Sequence, residues 1–422
     1  MKLGDFSEDE LKARQSELQA VYDRFKDARL SLDLTRGKPS TQQLDLSNDL
    51  DGILGGFFML QDGTDVRNYG GILGIPEARR LGADILSLHA AQVMVGGNSS
   101  LTLMYNMIAH MVEQWEGEAL DSNSKVKFIC PIPGYDRHFT ICESFGIEMI
   151  NVGFVSSGPD MDGIEDLVSK DPMIKGIWCV PKYSNPSGHT YDEATVKRFA
   201  KLGKVAGENF RIMWDNAYVA HHLSDKPARL LNLMDEAVQE GTEDNVVMFA
   251  SSSKVTFAGA GISFLGTSEN NLAAFEKSLV PQVIGFDKVN QLRHVRFLKD
   301  LDNLSTHMEK HRTLLAPKFN MVQGKLQAAL EGKNIADWTT PDGGYFVSLD
   351  TLPDLATTVV DLAAAVGVKL TPAGATYPYG IDPENRNIRV APTFPPLPDL
   401  EKALDVFVVC LELASVNHLL AT

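Results

Sequence analysis

Cysteine is scarce in this sequence. Only Cys130, Cys142, Cys179 and Cys410 occur among 422 residues, scattered and without a C-x-x-C pair. A disulfide framework or a zinc site needs closer, patterned spacing, so the four read as buried reduced thiols and predict a cytoplasmic protein. Positive charge is also in deficit: 39 Lys+Arg against 55 Asp+Glu give a net charge of −16. Nucleic acids and anionic membranes select a basic face, so neither is expected as a partner. Long apolar runs are missing. Ile53–Leu60 and Val406–Leu411 fall well short of the roughly 18 residues of a membrane span, and the first residues carry no apolar signal core. What remains, 44% hydrophobic and 22% charged, is the composition of a globular protein. At a prior of about 150 residues per domain, the length predicts two or three domains.

Ser7-Glu8-Asp9-Glu10 is a capping-box pattern, and Leu11, Leu18, Val21 and Phe25 follow at helical spacing, so the first thirty residues predict one amphipathic helix. Between about residues 75 and 270 the chain alternates. Helices are predicted at Pro76–Ala91, Leu101–Trp115, Asp136–Phe145 and Ala194–Ala206. Short apolar strands are predicted at Val126–Cys130, Glu148–Val152, Gly176–Val180, Arg211–Trp214, Val246–Ala250 and Ile262–Leu265. Strands separated by helices imply an α/β fold with a mostly parallel sheet covered on both faces. After residue 300 come a long helix, Ser305–Leu330, with a kink expected at Pro317, a strand at Gly343–Leu349, a helix at Thr357–Val366, a strand at Asn387–Val390 and a helix at Leu397–Ala414. That is a smaller α+β domain. The expected division is a large domain over 46–300 and a small domain joining 1–45 to 301–422.

Ligands of parallel sheets lie beyond the C-terminal strand ends, so the polar residues there matter most. One strand delivers Asp215, another Ser251-Ser252-Ser253-Lys254, a third leads to Asn185-Pro186-Ser187-Gly188. Gly96-Gly97-Asn98-Ser99-Ser100 opens an apolar helix, where backbone N–H groups and the helix dipole suit an anion. A desolvated Lys254 would have a free amine able to form a Schiff base. A buried Asp215 would need a partner, and a pyridinium nitrogen is one such partner. Each piece has a plainer reading: Lys254 as a surface lysine, Asp215 as a helix cap, Asn185 as a turn residue.

Taken in order, Gly97-Asn98-Ser99-Ser100, Tyr135, Asn185-Pro-Ser-Gly, Asp215-Asn-Ala-Tyr218, Ser251-Ser-Ser-Lys254 and Asn387-Ile-Arg389-Val resemble the fold-type I pyridoxal phosphate aminotransferases across nearly the whole chain. Within that group the sequence is similar to a divergent bacterial subgroup of aspartate aminotransferase. The resemblance implies pyridoxal 5′-phosphate as cofactor and the pyridoxal phosphate transferase fold. It implies amino acid and 2-oxo acid substrates, with L-aspartate and 2-oxoglutarate as the expected pair, exchanged by a ping-pong mechanism. Lys254 would hold the cofactor and move the proton between Cα and C4′. Asp215 would pair with the pyridine nitrogen. Asn185 and Tyr218 would bond the ring oxygen, and Tyr135 would stack on the ring. Ser99, Ser100 and Ser251 would bind the phosphate, and Tyr69 would reach the neighbouring subunit's phosphate in a homodimer with active sites at the interface. Arg389 would clamp the substrate α-carboxylate.

Two departures from the family pattern stand out. The arginine usual in the glycine-rich stretch after the lysine is missing from Phe257–Ser263. The region where a distal-carboxylate arginine is usual, around Val280–Gln291, offers only Lys288, which leaves Arg36, Lys38 and Arg137 as alternatives. Within pyridoxal phosphate chemistry, a transaminase for aromatic or other amino acids and a β-lyase stay open.

Other classes fit less well. Ser251-x-x-Lys254 matches the S-x-x-K of penicillin-binding enzymes, but S-D-N and K-T-G are absent. His307 and His311 are four apart and His221-His222 adjacent, yet H-E-x-x-H is absent, so no metal is expected and these read as surface or interface histidines. No G-x-G-x-x-G follows a strand. A non-catalytic aminotransferase-like regulator would carry a basic DNA-binding segment, and the acidic N-terminal helix is not one.

Overall fold

The central sheet has seven strands, in the order Val93–Gly96, Ser263–Thr267, Val246–Ser251, Arg211–Asp215, Ile174–Cys179, Lys127–Pro131 and Glu148–Val152. This computed structural model describes residues 2–35, 37–119 and 124–422. The five strands from Val246–Ser251 to Glu148–Val152 pair parallel, while Ser263–Thr267 runs antiparallel to both its neighbours. Alternate side chains of each strand point to opposite faces. Ile129, Ile177, Ile212 and Met248 accordingly enter one apolar core, and Phe128, Trp178, Met213 and Phe249 enter the other. Both faces are covered by helices, as a parallel sheet requires.

Six of these strands match the sequence expectation to within two residues at each end. Val93–Gly96 was not expected. The preceding helix stops at Leu86, where Ser87 takes a left-handed conformation (φ 56°), and the chain turns into the strand.

A second core lies around a three-stranded antiparallel sheet, Ala336–Trp338, Val347–Thr351 and Asn387–Val390. Helix Glu8–Asp27 contributes Leu11, Leu18 and Tyr22 to it, so the two chain ends share one apolar interior with residues 319–416. The capping box at Ser7 and Glu10 forms as expected. Strand Leu32–Leu34 pairs parallel with Val368–Leu370. The long helix Leu301–Leu330 runs through Pro317.

Two expectations need correction. The strand expected from Gly343 begins only at Val347. Gly343 instead forms an isolated antiparallel bridge with His222, and a Cβ there would lie 2.3 Å from the Tyr183 ring and 2.5 Å from the His221 carbonyl, so the position needs glycine for close approach. The C-terminal helix spans Leu397–Ala421 and is, by length and composition, apolar enough to cross a membrane. Glu412 interrupts the apolar run in the sequence, which is why no single long run marks this helix. The helix packs against Glu8–Asp27 and Leu301–Leu330 instead, with Leu404, Phe407, Leu411 and Leu413 buried.

Contacts join the two parts beside the cleft. The Gly134 N–H donates to Thr376 O (2.7 Å), and the Met149 N–H, on the edge strand Glu148–Val152, donates to the Tyr379 hydroxyl (3.1 Å). All four cysteines are buried and unbridged.

Glu412 is the charged residue in the C-terminal core. It accepts from Arg14 Nε and Nη2 at 2.9 Å each, and its Oε1 lies 2.7 Å from Lys333 Nζ. Burial alone would raise its pKa; the hydrogen bonds from Arg14 and Lys333 outweigh burial and hold it below 4.5. Stability from this group is therefore present above the ordinary carboxylate range and lost as pH falls through the lowered pKa. Glu412→Gln should lower stability by about 1–3 kcal/mol near neutral pH, since both cations lose their partner while keeping partial solvation. Urea-unfolding midpoints should also decline less steeply with acid in the variant than in the natural protein.

Candidate active site

The C-terminal strand ends and the small three-stranded sheet enclose a cleft of about 520 Å³. Of the residues singled out in the sequence, Lys38, Tyr135, Arg137, Asn185, Tyr218, Lys254 and Arg389 line it together. Lys254 follows strand Val246–Ser251 in a turn, and its Nζ stands 5.0 Å from the centre of the Tyr218 ring. Burial lowers the pKa of its amine, and the negative charge of Asp215 partly opposes this. Lys254 is thus not a solvated surface lysine.

Asp215 ends its strand beneath the cleft. Its Oδ2 lies 3.1 Å from His138 Nε2, and both side chains are buried. Its Oδ1 is buried with no hydrogen-bond partner among the described residues. An unpartnered buried carboxylate oxygen is costly unless a donor arrives. Asp215 is therefore not a helix cap, and its geometry suits a cationic N–H donor. His138 was missed in the sequence. It stacks on Trp178 (centroids 4.3 Å, planes 9° apart) and meets the Tyr135 ring edge-on at 4.9 Å. The available signal was its place three residues after Tyr135 on the first turn of helix Asp136–Ser144, which puts both on one side.

The cradle loop is held against the lysine-bearing turn. Ser253 Oγ donates to Asn98 O (2.8 Å), Asn98 Nδ2 to Gly259 O (3.2 Å) and Ser263 Oγ to Gly97 O (2.8 Å). Ser99 occupies the N-cap of helix Ser100–Gly117 without a side-chain cap bond, so first-turn N–H groups are available to an anion. Ser251 ends the neighbouring strand. Among the described residues, the side chains hydrogen-bonded to the Gly259–Ile262 backbone are Asn98, Asn290 and Ser252, with no arginine.

Arg389 is 7% exposed and carries a short anion network. Its Nη1 donates to Asp136 Oδ1 (3.1 Å) and Asn185 Oδ1 (3.3 Å), and its Cζ lies 4.9 Å from the Phe346 ring centre. Asp136 was also missed in the sequence. Asn185 fills its turn and reaches the site, so the two readings of that residue are compatible.

Some candidates lie elsewhere. Tyr69 is 85% exposed and does not line the cleft. Lys288 donates to the Tyr69 and Gly70 carbonyls (3.0 and 2.6 Å), which removes it from the cleft. Lys38 stays at the cleft, with its Nζ 3.9 Å from the centre of the Phe394 ring. Arg36 lies outside the described residues.

Of the histidines expected at the surface or an interface, His221, His307 and His311 are buried beside the Lys254 backbone, while His222 is half-buried. His307 Nε2 and His311 Nε2 face the Val255 carbonyl at 2.8 and 3.0 Å. His221 Nε2 faces the Lys254 carbonyl at 3.3 Å, and the Tyr345 hydroxyl donates to the same oxygen at 3.4 Å. A carbonyl only accepts, so each facing nitrogen carries hydrogen. Gln43 Nε2 then donates both to His311 Nδ1 (3.2 Å) and to the Tyr345 oxygen (3.0 Å). Burial, reinforced by His307, lowers His311 to about 4; burial, then His311 and Lys254, lowers His221 to about 3. The donors are neutral.

The family described as aspartate amino-transferase matches residues 6–422. The chain belongs to the aspartate aminotransferase family. An aspartate aminotransferase of Corynebacterium glutamicum is 43% identical over 422 residues, covering 99% of this chain and 97% of its own. The crystal structure of an aspartate transaminase from the same species superposes with a TM-score of 0.94 at 42% identity, over 99% of both chains. The α-aminoadipate aminotransferase of Thermus thermophilus, complexed with N-(5′-phosphopyridoxyl)-L-leucine, shares the fold alone, at 16% identity and a TM-score of 0.73 over 93% of each chain. This aminotransferase is a transferase enzyme. Its family implies amino acid and oxo acid substrates and a pyridoxal phosphate cofactor. The orphaned Asp215 oxygen, the desolvated amine and the uncapped helix start fit that group.

The Lys254 amine should lose its proton below the ordinary 10.5. In cofactor-free protein, labelling of Lys254 by an amine-reactive reagent should reach half its maximal rate at lower pH than labelling of exposed lysines, read by peptide mass spectrometry.

Proposed function

We propose that the protein is a pyridoxal 5′-phosphate-dependent aspartate aminotransferase, exchanging the amino group between L-aspartate and 2-oxoglutarate by a ping-pong mechanism. The observation that carries this reading is one cleft lined by a desolvated lysine amine and a buried guanidinium, with the buried carboxylate of Asp215 and its unpartnered oxygen beneath it. The C. glutamicum relative named for that activity supports the choice of substrate.

When bound, the cofactor supplies a ring that takes up the electrons left as the substrate Cα loses its proton. Asp215, oriented by His138, would hold the ring nitrogen's proton and keep that sink effective. Lys254 would hold the cofactor covalently and, once released by substrate, use its neutral amine to take the Cα proton; a lowered pKa favours that form near neutral pH. Asn185 and Tyr218 would bond the ring oxygen, and burial keeps the Tyr218 hydroxyl protonated as a donor. Tyr135 would cover one ring face. Gly97, Asn98, Ser99, Ser100 and Ser251 would receive the phosphate.

Arg389 would take the α-carboxylate, for which a planar two-pronged donor is matched. Lys38 brings a further cation to the cleft for a second carboxylate, and Arg137 lines the same cleft. Tyr69, 85% exposed, would serve the neighbouring site in a homodimer with active sites at the interface. A cytoplasmic setting agrees with four unbridged thiols.

The test is the visible absorption spectrum of purified protein reconstituted with pyridoxal 5′-phosphate. A yellow band that bleaches with L-aspartate and returns with 2-oxoglutarate is expected, with no such response in Lys254→Ala. A band that ignores aspartate but answers another amino acid would discard the substrate. A protein that stays colourless with added cofactor would overturn the reading.

A further inference from the structure

Arg389 is not waiting free for a substrate. One corner of its guanidinium, Nη1, is already bonded to the Asp136 carboxylate at 3.1 Å. The other groups on it are Asn185 Oδ1, a neutral acceptor at 3.3 Å, and the Phe346 ring, which lies 4.9 Å from Cζ and restrains the plane. Arg389 Nε is buried without a partner among the described residues, so the Nη edge is the one a carboxylate in the cleft can reach. A two-pronged carboxylate on that edge needs both Nη1 and Nη2. The Nη1 position is where Asp136 now sits.

Asp136 differs from Arg389 in two ways that matter. Its side chain is 33% exposed at the cleft against 7% for Arg389, so it can turn outward at small cost. Its second oxygen, Oδ2, already lies 4.0 Å from Arg137 Nε, and Arg137 is 45% exposed. Leaving Arg389 therefore does not leave Asp136 without a cation. It sits at the first position of helix Asp136–Ser144, where the helix dipole favours a carboxylate in either orientation.

We propose that Asp136 is a built-in carboxylate competitor: it occupies the substrate position on Arg389 and is handed to Arg137 when a substrate carboxylate binds. This rests on the reading of Arg389 as the substrate-carboxylate site. The exchange keeps every guanidinium paired at each stage, so the site never holds a desolvated arginine alone. Affinity for every carboxylate ligand is reduced by the cost of breaking the internal pair. A residue that merely oriented Arg389 would have the opposite effect, since its loss would weaken binding.

The experiment is a calorimetric titration of the cofactor-loaded enzyme with succinate, a carboxylate ligand that cannot react. Asp136→Asn keeps shape and removes the charge, and Asp136→Ser provides a second replacement should the first disturb the helix start. Both are compared with the natural protein and combined with Arg389→Gln in a double-mutant cycle. Succinate should bind about fivefold tighter to Asp136→Asn, the scale of one partly exposed ion pair, and the gain should vanish in the Arg389→Gln background. Unchanged or weaker binding to both Asp136 variants, with binding still lost in Arg389→Gln, would overturn the proposal and leave the site reading intact. Succinate binding indifferent to Arg389→Gln would overturn the site reading, and the proposal with it.

Discussion

Two consecutive backbone carbonyls, those of Lys254 and Val255, are the meeting point of the whole active-site architecture. His221 and Tyr345 donate to the first, and His307 and His311 to the second. The donors come from the large sheet's loops, the small sheet's glycine turn and the long helix, and Gln43 ties two of them together. A lysine side chain has four rotatable carbons, so its amine is only as well placed as its backbone. Fixing two carbonyls with four buried donors supplies that placement. It also explains why three histidines in this region are held neutral: an imidazolium here would be a buried charge with no counter-ion, and the bond pattern needs an acceptor at His311 Nδ1.

The electrostatics of the cleft follow from the same dryness. A low-dielectric floor pushes the Lys254 amine toward its neutral form, raises the Tyr135 and Tyr218 hydroxyls and strengthens each pairing that does form. Asp215 shows the division of labour most clearly. One oxygen is spent on His138, which is itself clamped between Trp178 and Tyr135, and the other is left for a donor outside the protein. Structural satisfaction and functional readiness are assigned to separate atoms of one carboxylate.

Much of this was legible in the sequence, because strand ends announce themselves. An apolar run followed by Asp215, or by three serines and Lys254, places those residues at the C-terminal rim whatever the rest of the fold does. The alternation of strand and helix between about residues 75 and 270 implied the sheet and its covered faces. The antiparallel turn of Ser263–Thr267 was not legible, since a buried strand reads the same in either direction. The histidines were misjudged for a different reason. The partners that bury His311 lie 268 residues away at Gln43 and 56 away at Val255. Local spacing reports which residues share a helix face but not what that face meets. Asp136 and His138 were passed over on similar grounds: their partners, Arg389 and Asp215, are 253 and 77 residues distant.

The bond from the Met149 N–H to the Tyr379 hydroxyl lies on the last strand of the seven-stranded sheet. An open sheet edge is a template for strand addition by another chain. Here the edge is capped by a loop that belongs to the other half of the molecule and also lines the cleft wall at Ala375. Self-association is thereby tied to the cleft wall: displacing the loop that carries Ala375 and Tyr379 would bare the Met149 N–H on the sheet edge as well as open the site.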